Sequence, residues 1–147
     1  MCSKAVKNAL EKVAFVENIR VDIKNQQYNF DLKKNEKIDF DVLSKAVEDA
    51  GFSVASLKVT AEMQNVKAEK DSHVQIGDKY FHFLNAKGQA LNGATTFSIV
   101  DKSFVPAKDF KKYSSATKMQ CMQTGKAAAC CAKDNISENT RIYHVII

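Results

Sequence analysis

The chain has 147 residues, 45% of them hydrophobic, which suffices for one ordinary domain or two small ones with buried cores. It contains neither the roughly 18 uninterrupted apolar residues of a membrane span nor a basic-then-apolar secretory signal, so a soluble protein is expected. The net charge of +5 arises in the second half, because residues 1–63 hold ten basic and ten acidic side chains whereas residues 64–147 hold twelve and seven. This surplus is mild, and nucleic acid is accordingly not the favoured partner.

The first elements in chain order are a helix and a hairpin. Apolar residues at helical spacing predict an amphipathic helix over residues 3–13. Strict alternation of apolar and polar residues then predicts strands over 19–23 and 28–32. The polar pair Lys24-Asn25 between them predicts the turn. A helix followed by a β-hairpin therefore opens the chain.

A second helix and a further strand complete the first pattern. Asp39 or Asp41 would cap a helix that ends before Gly51, whose lack of a Cβ suits a left-handed stop. A strand follows and ends at Ala61, and its alternation changes phase near Ala55-Ser56, which predicts a bulge there. The predicted order is α-β-β-α-β.

A polar, charged run, "QNVKAEKDSH", predicts a domain boundary, which divides the chain into residues 1–63 and 64–147. Beyond it the patterns have a period of two and suggest short strands. Predicted turns lie at Gly77-Asp78, at 86–88 and at Asn92-Gly93. In "KYFHF" the alternation places Phe81 and Phe83 in the core and leaves Tyr80 and His82 outward.

The end of the chain predicts one short helix and one buried strand. Pro106 would open the helix, because its fixed φ suits a first turn. The run "TRIYHVII" is apolar on both faces and is therefore predicted to be a central strand. Several short strands with one helix resemble, weakly, a small β-barrel of the oligonucleotide-binding (OB) type. The predicted fold class is α+β, a ferredoxin-like domain followed by this OB-like barrel.

The first half resembles a known family. The α-β-β-α-β order with "FVENIRVDI" and "AVEDAGF", from about Cys2 to Val59, is similar to the heavy-metal-associated domain of copper chaperones and metal-transporting ATPases. In that family a first strand leads into a Met-x-Cys-x-x-Cys loop whose second cysteine opens the first helix. "MCSKAV" resembles the end of that motif, with Cys2 in the second cysteine's place. The resemblance implies a ferredoxin-like fold that binds Cu(I) or another soft metal ion.

The family's first strand and first motif cysteine are missing here. In the family's sheet that strand is central, so its loss would expose unpaired backbone groups. Either the chain is truncated, or a strand from a partner chain or from the second half fills the slot, between the strands at 28–32 and 57–61. Cys2 is predicted to be a metal ligand when an upstream cysteine completes the pair, and otherwise an ordinary cysteine. The predicted partners are a metal-transferring protein and a second copy of this chain that contributes its own Cys2.

Three of the four cysteines lie in "MQCMQTGKAAACC". If this stretch forms a hairpin with its turn at Thr124-Gly125, then Met119, Cys121 and Cys130 share one face at a spacing that suits a shared soft metal better than a disulfide. If its alanines form a helical turn instead, Cys130 and Cys131 diverge. Metal binding, a disulfide and simple packing of small residues all stay open.

Three single histidines, His73, His82 and His144, show no ligand spacing and are predicted to be structural. The sequence shows no Ser/His/Asp set, phosphate-binding loop or pair of carboxylates, so an enzyme is not predicted. The leading hypothesis is a protein that binds or transports a soft metal through the thiolates of Cys2, Cys121 and Cys130. The alternative is a metal-free binding module whose basic barrel contacts nucleic acid or an acidic protein.

Overall fold

The computed structural model describes residues 3–33, 36–76, 79–128 and 136–147, which form a mixed structure of short helices and two β-sheets. The predicted α+β class is confirmed. The chain forms two compact units, Met1–Val54 and Ala55–Ile147. None of the helices in the described ranges has the length and apolarity that a bilayer crossing requires.

The first unit consists of two helices and a hairpin. Its elements are α1 (Ser3–Glu11), β1 (Val16–Asp22), β2 (Gln27–Leu32) and α2 (Phe40–Asp49). The two helices pack against each other, and α1 also packs against β1. Their buried apolar faces include Val6, Leu10, Phe40 and Leu43.

The predicted limits of α2 are confirmed at both ends. Asp39 is the N-cap, and its carboxylate accepts a hydrogen bond from the backbone N–H of Asp41 at 3.0 Å. At the other end Gly51 has φ +92°, and its N–H donates to the carbonyl of Glu48. This left-handed glycine stops the helix as the sequence predicts.

The second unit contains a five-stranded sheet and two helices. The strands are β3 (Leu57–Ala68), β4 (Ser72–Ile76), β5 (Lys79–Phe83), β6 (Gln89–Ile99) and β7 (Ile142–Ile146), and the helices are α3 (Ala107–Ser114) and α4 (Cys121–Thr124). The sheet order is β3-β6-β7-β5-β4, antiparallel except for the parallel pair β5 and β7. The predictions of a helix after Pro106 and of a central last strand are both confirmed.

The sheet is nearly barrel-shaped. Its two edge strands, β3 and β4, are consecutive in the chain, and only residues 69–71 lie between them. An extended residue spans at most about 3.6 Å. A connection of this length therefore forces the two edges of the sheet close together. The sheet therefore curves back upon itself at this corner.

The strand at 57–61 does not lie where the sequence predicts. It is the start of β3, which pairs with β6 from Leu57 opposite Ile99 to Ala68 opposite Gln89. In the described residues the sheet of the first unit has two strands, β1 and β2. The predictions that this strand joins that sheet, and that a further strand lies between it and residues 28–32, are therefore wrong. The predicted boundary at 63/64 falls inside β3, whereas the units divide at Val54/Ala55.

Bulges and turns also differ in place from the predictions. Residues 52–56 are not in a strand, and the irregularity in β3 lies between Met63 and Val66. Asn92-Gly93 is no turn but part of β6, where Gly93, with φ +80°, pairs with Met63 beside that irregularity. A glycine at positive φ is typical of a β-bulge, and local sequence does not distinguish it from a turn. The predicted turn at Gly77-Asp78 lies outside the described residues.

Both faces of the central strands are covered. One face carries the aromatic core, in which Phe97 packs against Phe81 and Phe83 with ring centroids 5.1 and 6.1 Å apart, and Tyr143 packs against Phe104. Phe81 and Phe83 are buried as predicted. His82, predicted to be outward, is also fully buried, because the opposite face lies under the segment that contains Cys121.

Candidate metal centre

Three histidines form a row across three neighbouring strands. His73 of β4 pairs with His82 of β5, and His82 pairs with His144 of β7. Adjacent strands lie about 4.8 Å apart, and paired residues point to the same face. The ring centroids of His73 and His82, and those of His82 and His144, are indeed 4.8 Å apart. The strand register therefore places three imidazoles side by side.

Cys121 lies over this row as a fully buried thiol. It opens the single turn of α4, which ends at Gly125 with φ +72°. The carbonyl of Gly125 accepts a hydrogen bond from the N–H of Ile142 in β7 at 2.8 Å. This bond attaches the turn to the strand that contains His144. The apolar residues around Cys121 are Ala127, Ile136 and Ile142, with Tyr80 and Met119 packed against them.

The sulfur of Cys121 contacts all three imidazoles. Its Sγ lies 3.3 Å from His144 Nε2, 3.4 Å from His82 Nδ1 and 3.9 Å from His73 Nε2. The ligand atoms of His73, His82 and Cys121 all lie within 4.8 Å of one another, so this group could hold a metal ion. His144 contacts the same sulfur but is not part of that group.

Two aspartates hydrogen-bond to the buried histidines through the ring nitrogens that point away from Cys121. His82 Nε2 lies 2.7 Å from Asp71 Oδ1, and His144 Nδ1 lies 2.8 Å from Asp101 Oδ1. Asp101 is itself fixed, because its Oδ2 accepts the backbone N–H of His144 at 2.7 Å and Arg141 lies 3.7 Å away. Carboxylates that orient histidine ligands in this way are a recurrent feature of protein metal sites.

The aspartates determine which histidine nitrogens face the sulfur as acceptors. A carboxylate only accepts hydrogen bonds, so these partners assign the hydrogen of His82 to Nε2 and that of His144 to Nδ1. In the neutral imidazoles, His82 Nδ1 and His144 Nε2 then present lone pairs to Cys121 Sγ. One thiol hydrogen cannot serve both nitrogens. A shared cation would satisfy both lone pairs and the sulfur together.

Charge at the site favours the form of histidine that metals bind. Burial lowers the pKa of His82 to about 4, the neighbouring His144 acts in the same direction, and the hydrogen bond to Asp71 opposes both. Burial raises the pKa of Asp71, but hydrogen bonds from Thr117 and His82 outweigh it, so that pKa lies below its usual 3.8. At neutral pH the pair is therefore a neutral imidazole beside a carboxylate.

The chain from Cys121 through His144 to Asp101 also has the order of a nucleophile, a base and an orienting acid. A nucleophile must reach a substrate, however, and the side chains of Cys121 and His144 are both 0% exposed. A second imidazole on the same sulfur has no role in such a triad. The arrangement is better suited to holding an ion than to attacking a substrate.

Comparison of the chain with protein-family models, with curated proteins and with solved structures finds no match. The assignment of a candidate metal centre therefore depends on the geometry of these residues alone.

Of the predicted metal ligands, only Cys121 lies in the described residues. Cys2 and Cys130, with Cys131, lie outside them. Of the two alternatives for this stretch, the hairpin with its turn at Thr124-Gly125 is excluded, because residues 121–124 form a helical turn that Gly125 ends. Met119 does pack near Cys121, as that hairpin also implied.

The prediction that the three histidines are only structural missed this convergence. Each lies alone in its strand, in "SHVQI", "KYFHF" and "IYHVI", and no pair has ligand spacing along the chain. A signal was present, since each apolar strand carries one histidine. Only the strand pairing shows that the three occupy one row.

Gly125 tests how tightly the Cys121 turn is held. A Cβ at Gly125 would lie 2.6 Å from Arg141 Nη1, whereas at Gly93, also at positive φ, it would meet nothing within 4 Å. Arg141 donates to the Gly125 carbonyl at 2.9 Å and lies over the Tyr143 ring, so displacing it breaks both contacts. We expect both alanine variants to lose about 1 kcal/mol from the left-handed backbone, and Gly125→Ala to lose about 1–2 kcal/mol more. Urea unfolding of the two variants measures this difference, and equal losses would contradict it.

Proposed function

We propose that this protein binds a transition-metal ion of soft or borderline character at a centre formed by the partly buried His73 and the buried His82 and Cys121. The observation that carries the proposal is that three ligand atoms of the right kind lie within 4.8 Å of one another. Thiolate and imidazole together suit zinc and copper ions and not the hard ions that prefer oxygen.

Two further features support the proposal. His82 is held by Asp71 in the tautomer that turns a lone pair toward the sulfur. Its low pKa, which burial causes, keeps it neutral at physiological pH, so protons compete little with a metal there. A hydrophobic core that binds no metal would need neither the oriented tautomer nor the neutral imidazole.

The proposed role is non-enzymatic. Catalytic metal sites keep one position open to water or substrate, whereas here Cys121 and His82 are fully buried and His73 is partly buried. Storage, transfer or structural use of the ion fits such a largely buried site. The Cu(I) hypothesis from the sequence belongs to this class, since thiolate ligands suit soft ions.

The heavy-metal-associated, ferredoxin-like assignment of the first unit and the OB-like assignment of the second are separate proposals. The order α1-β1-β2-α2 agrees with the first four elements of the resemblance, whereas its last strand belongs to the sheet of the second unit. The curved sheet of the second unit agrees with a small barrel. If the family assignment holds, Cys2 belongs to a second metal site, independent of Cys121.

Metal content measures the proposed function directly. Metal-free protein is incubated under reducing conditions with Zn²⁺ or with Cu(I), desalted, and analysed for metal per chain. We expect about one ion per wild-type chain and at least about tenfold less in Cys121→Ser, because the thiolate is the anionic ligand.

The other cysteines supply matched comparisons. Loss of the ion in Cys130→Ser would make Cys130 a further ligand, as the sequence hypothesis predicts, and Cys2→Ser should lose Cu(I) only if the first unit has a site of its own. The proposed function fails if the wild-type chain retains neither ion, or if Cys121→Ser retains as much as wild type.

A further inference from the structure

The proposed centre leaves open the charge of the ion and the role of His144. We propose that the ion is divalent, of the zinc class, and that His144 is its fourth ligand, so that one thiolate and three imidazoles enclose it. This inference rests on the proposed function and makes it specific.

The sulfur-to-nitrogen distances fit a tetrahedron. With zinc bonds of about 2.3 Å to sulfur and 2.0–2.1 Å to nitrogen, tetrahedral geometry places sulfur and nitrogen about 3.6 Å apart. The three observed distances from Cys121 Sγ, 3.3, 3.4 and 3.9 Å, lie on both sides of that value. The three sulfur-to-nitrogen distances are therefore compatible with one coordination tetrahedron, and the His73 and His82 nitrogens lie within 4.8 Å of each other.

The orientation of His144 distinguishes it from a packing residue. Asp101 accepts both the Nδ1 hydrogen and the backbone N–H of His144, which fixes the ring and turns Nε2 toward Cys121. His82 has the same arrangement with Asp71. Two histidines with the same carboxylate support and the same target atom are expected to have the same role.

The charge around the centre matches a divalent ion. Cys121 as a thiolate, Asp71 and Asp101 supply three negative charges, and Arg141, 3.7 Å from Asp101, supplies one positive charge. Lys70, which also acts on Asp71, is exposed, so water and salt screen it. Among the described residues the negative charges then exceed the positive ones, by two if Asp71, which is 28% exposed, is counted in full. A divalent ion compensates this excess more fully than Cu(I), and uncompensated charge in a buried site is costly.

X-ray absorption at the zinc edge of the loaded wild-type chain tests the ligand set without a mutation. The expected result is one sulfur and three imidazole nitrogens around each ion. A water oxygen in place of the third imidazole would overturn the role of His144. Uptake of Cu(I) without uptake of Zn²⁺ would overturn the divalent assignment yet leave the proposed function intact. A chain that takes up neither ion would overturn both.

A variant supplies the second measurement. His144→Gln keeps a polar side chain of similar reach, and competition with a zinc chelator should show its affinity reduced roughly 100-fold or more, beyond the usual loss of an outer-shell partner. Tyr143→Phe, on the opposite face of the same strand, is the matched control and should stay within about threefold of wild type. Equal affinities in His144→Gln and wild type would overturn the proposal.

Discussion

Removing the proposed metal ion should lower the melting temperature of the second unit by roughly 15–30 °C. A ligand present at about 1,000 times its dissociation constant stabilises the folded state by about 4 kcal/mol, and each kcal/mol shifts the midpoint of a domain this size by about 4–8 °C. The effect should be large because the proposed ligands come from residues 73 to 144, in β4, β5, α4 and β7. One ion would therefore link four elements that are distant in the chain.

Differential scanning calorimetry is the suitable measurement, because two units need not unfold together. A chelator should shift the transition of Ala55–Ile147 and leave that of Met1–Val54 in place. The Cys121→Ser variant, scanned with and without chelator, is the control and should show no shift. An unchanged wild-type scan after complete metal removal would contradict the prediction.

The second large effect concerns the two aspartates. Asp101→Asn should reduce zinc affinity about 10- to 100-fold, because it removes the carboxylate that orients His144. It should also destabilise the metal-free protein by about 3 kcal/mol, because Asp101 is buried and its loss removes the carboxylate that faces both His144 and Arg141.

Asp71→Asn should separate these two effects. The Asp71 side chain is 28% exposed, so water replaces part of what it loses, and the stability change should stay below about 1 kcal/mol. Its affinity loss should match that of Asp101→Asn, since it orients His82 in the same way. Asp109→Asn, an exposed change in α3, is the control for both measurements. If Asp71→Asn binds zinc as tightly as Asp109→Asn, the orienting role of the carboxylates is wrong.

Local sequence patterns predicted which segments of this protein form helices and strands better than they predicted which strands pair with each other. The alternation in "TRIYHVII" identified a central strand, and Asp39 and Gly51 marked the ends of α2, because each of these features depends on near neighbours. The run at 57–61 was recognised as a strand but assigned to the wrong sheet. Its partner, β6, begins more than twenty residues further along, and alternation alone does not encode which strand pairs with which.

The candidate site shows the same difference between local patterns, which the sequence reveals, and long-range pairing, which it does not. Cys121 was predicted as a ligand because an assumed hairpin placed it on one face with Met119 and Cys130, and the structure has a helical turn there instead. His82 was predicted to be outward because alternation with Phe81 and Phe83 takes no account of a segment that covers the other face. A shift of one residue in the register of β5 would turn His82 into the aromatic core and remove it from the row. The centre thus depends on long-range register, which single-sequence patterns do not determine.

The position of β7 has a consequence for how the protein is made. β7 follows every other strand of its sheet in the chain, yet it lies between β6 and β5 and joins the antiparallel pairs β3–β6 and β4–β5. Until residues 142–146 have left the ribosome, those two pairs have open edges where the last strand will insert, and such edges favour aggregation. The same residues carry His144. Nascent chains should therefore depend on chaperones late in synthesis. The strand that completes the sheet also adds the imidazole of His144 to the row of histidines.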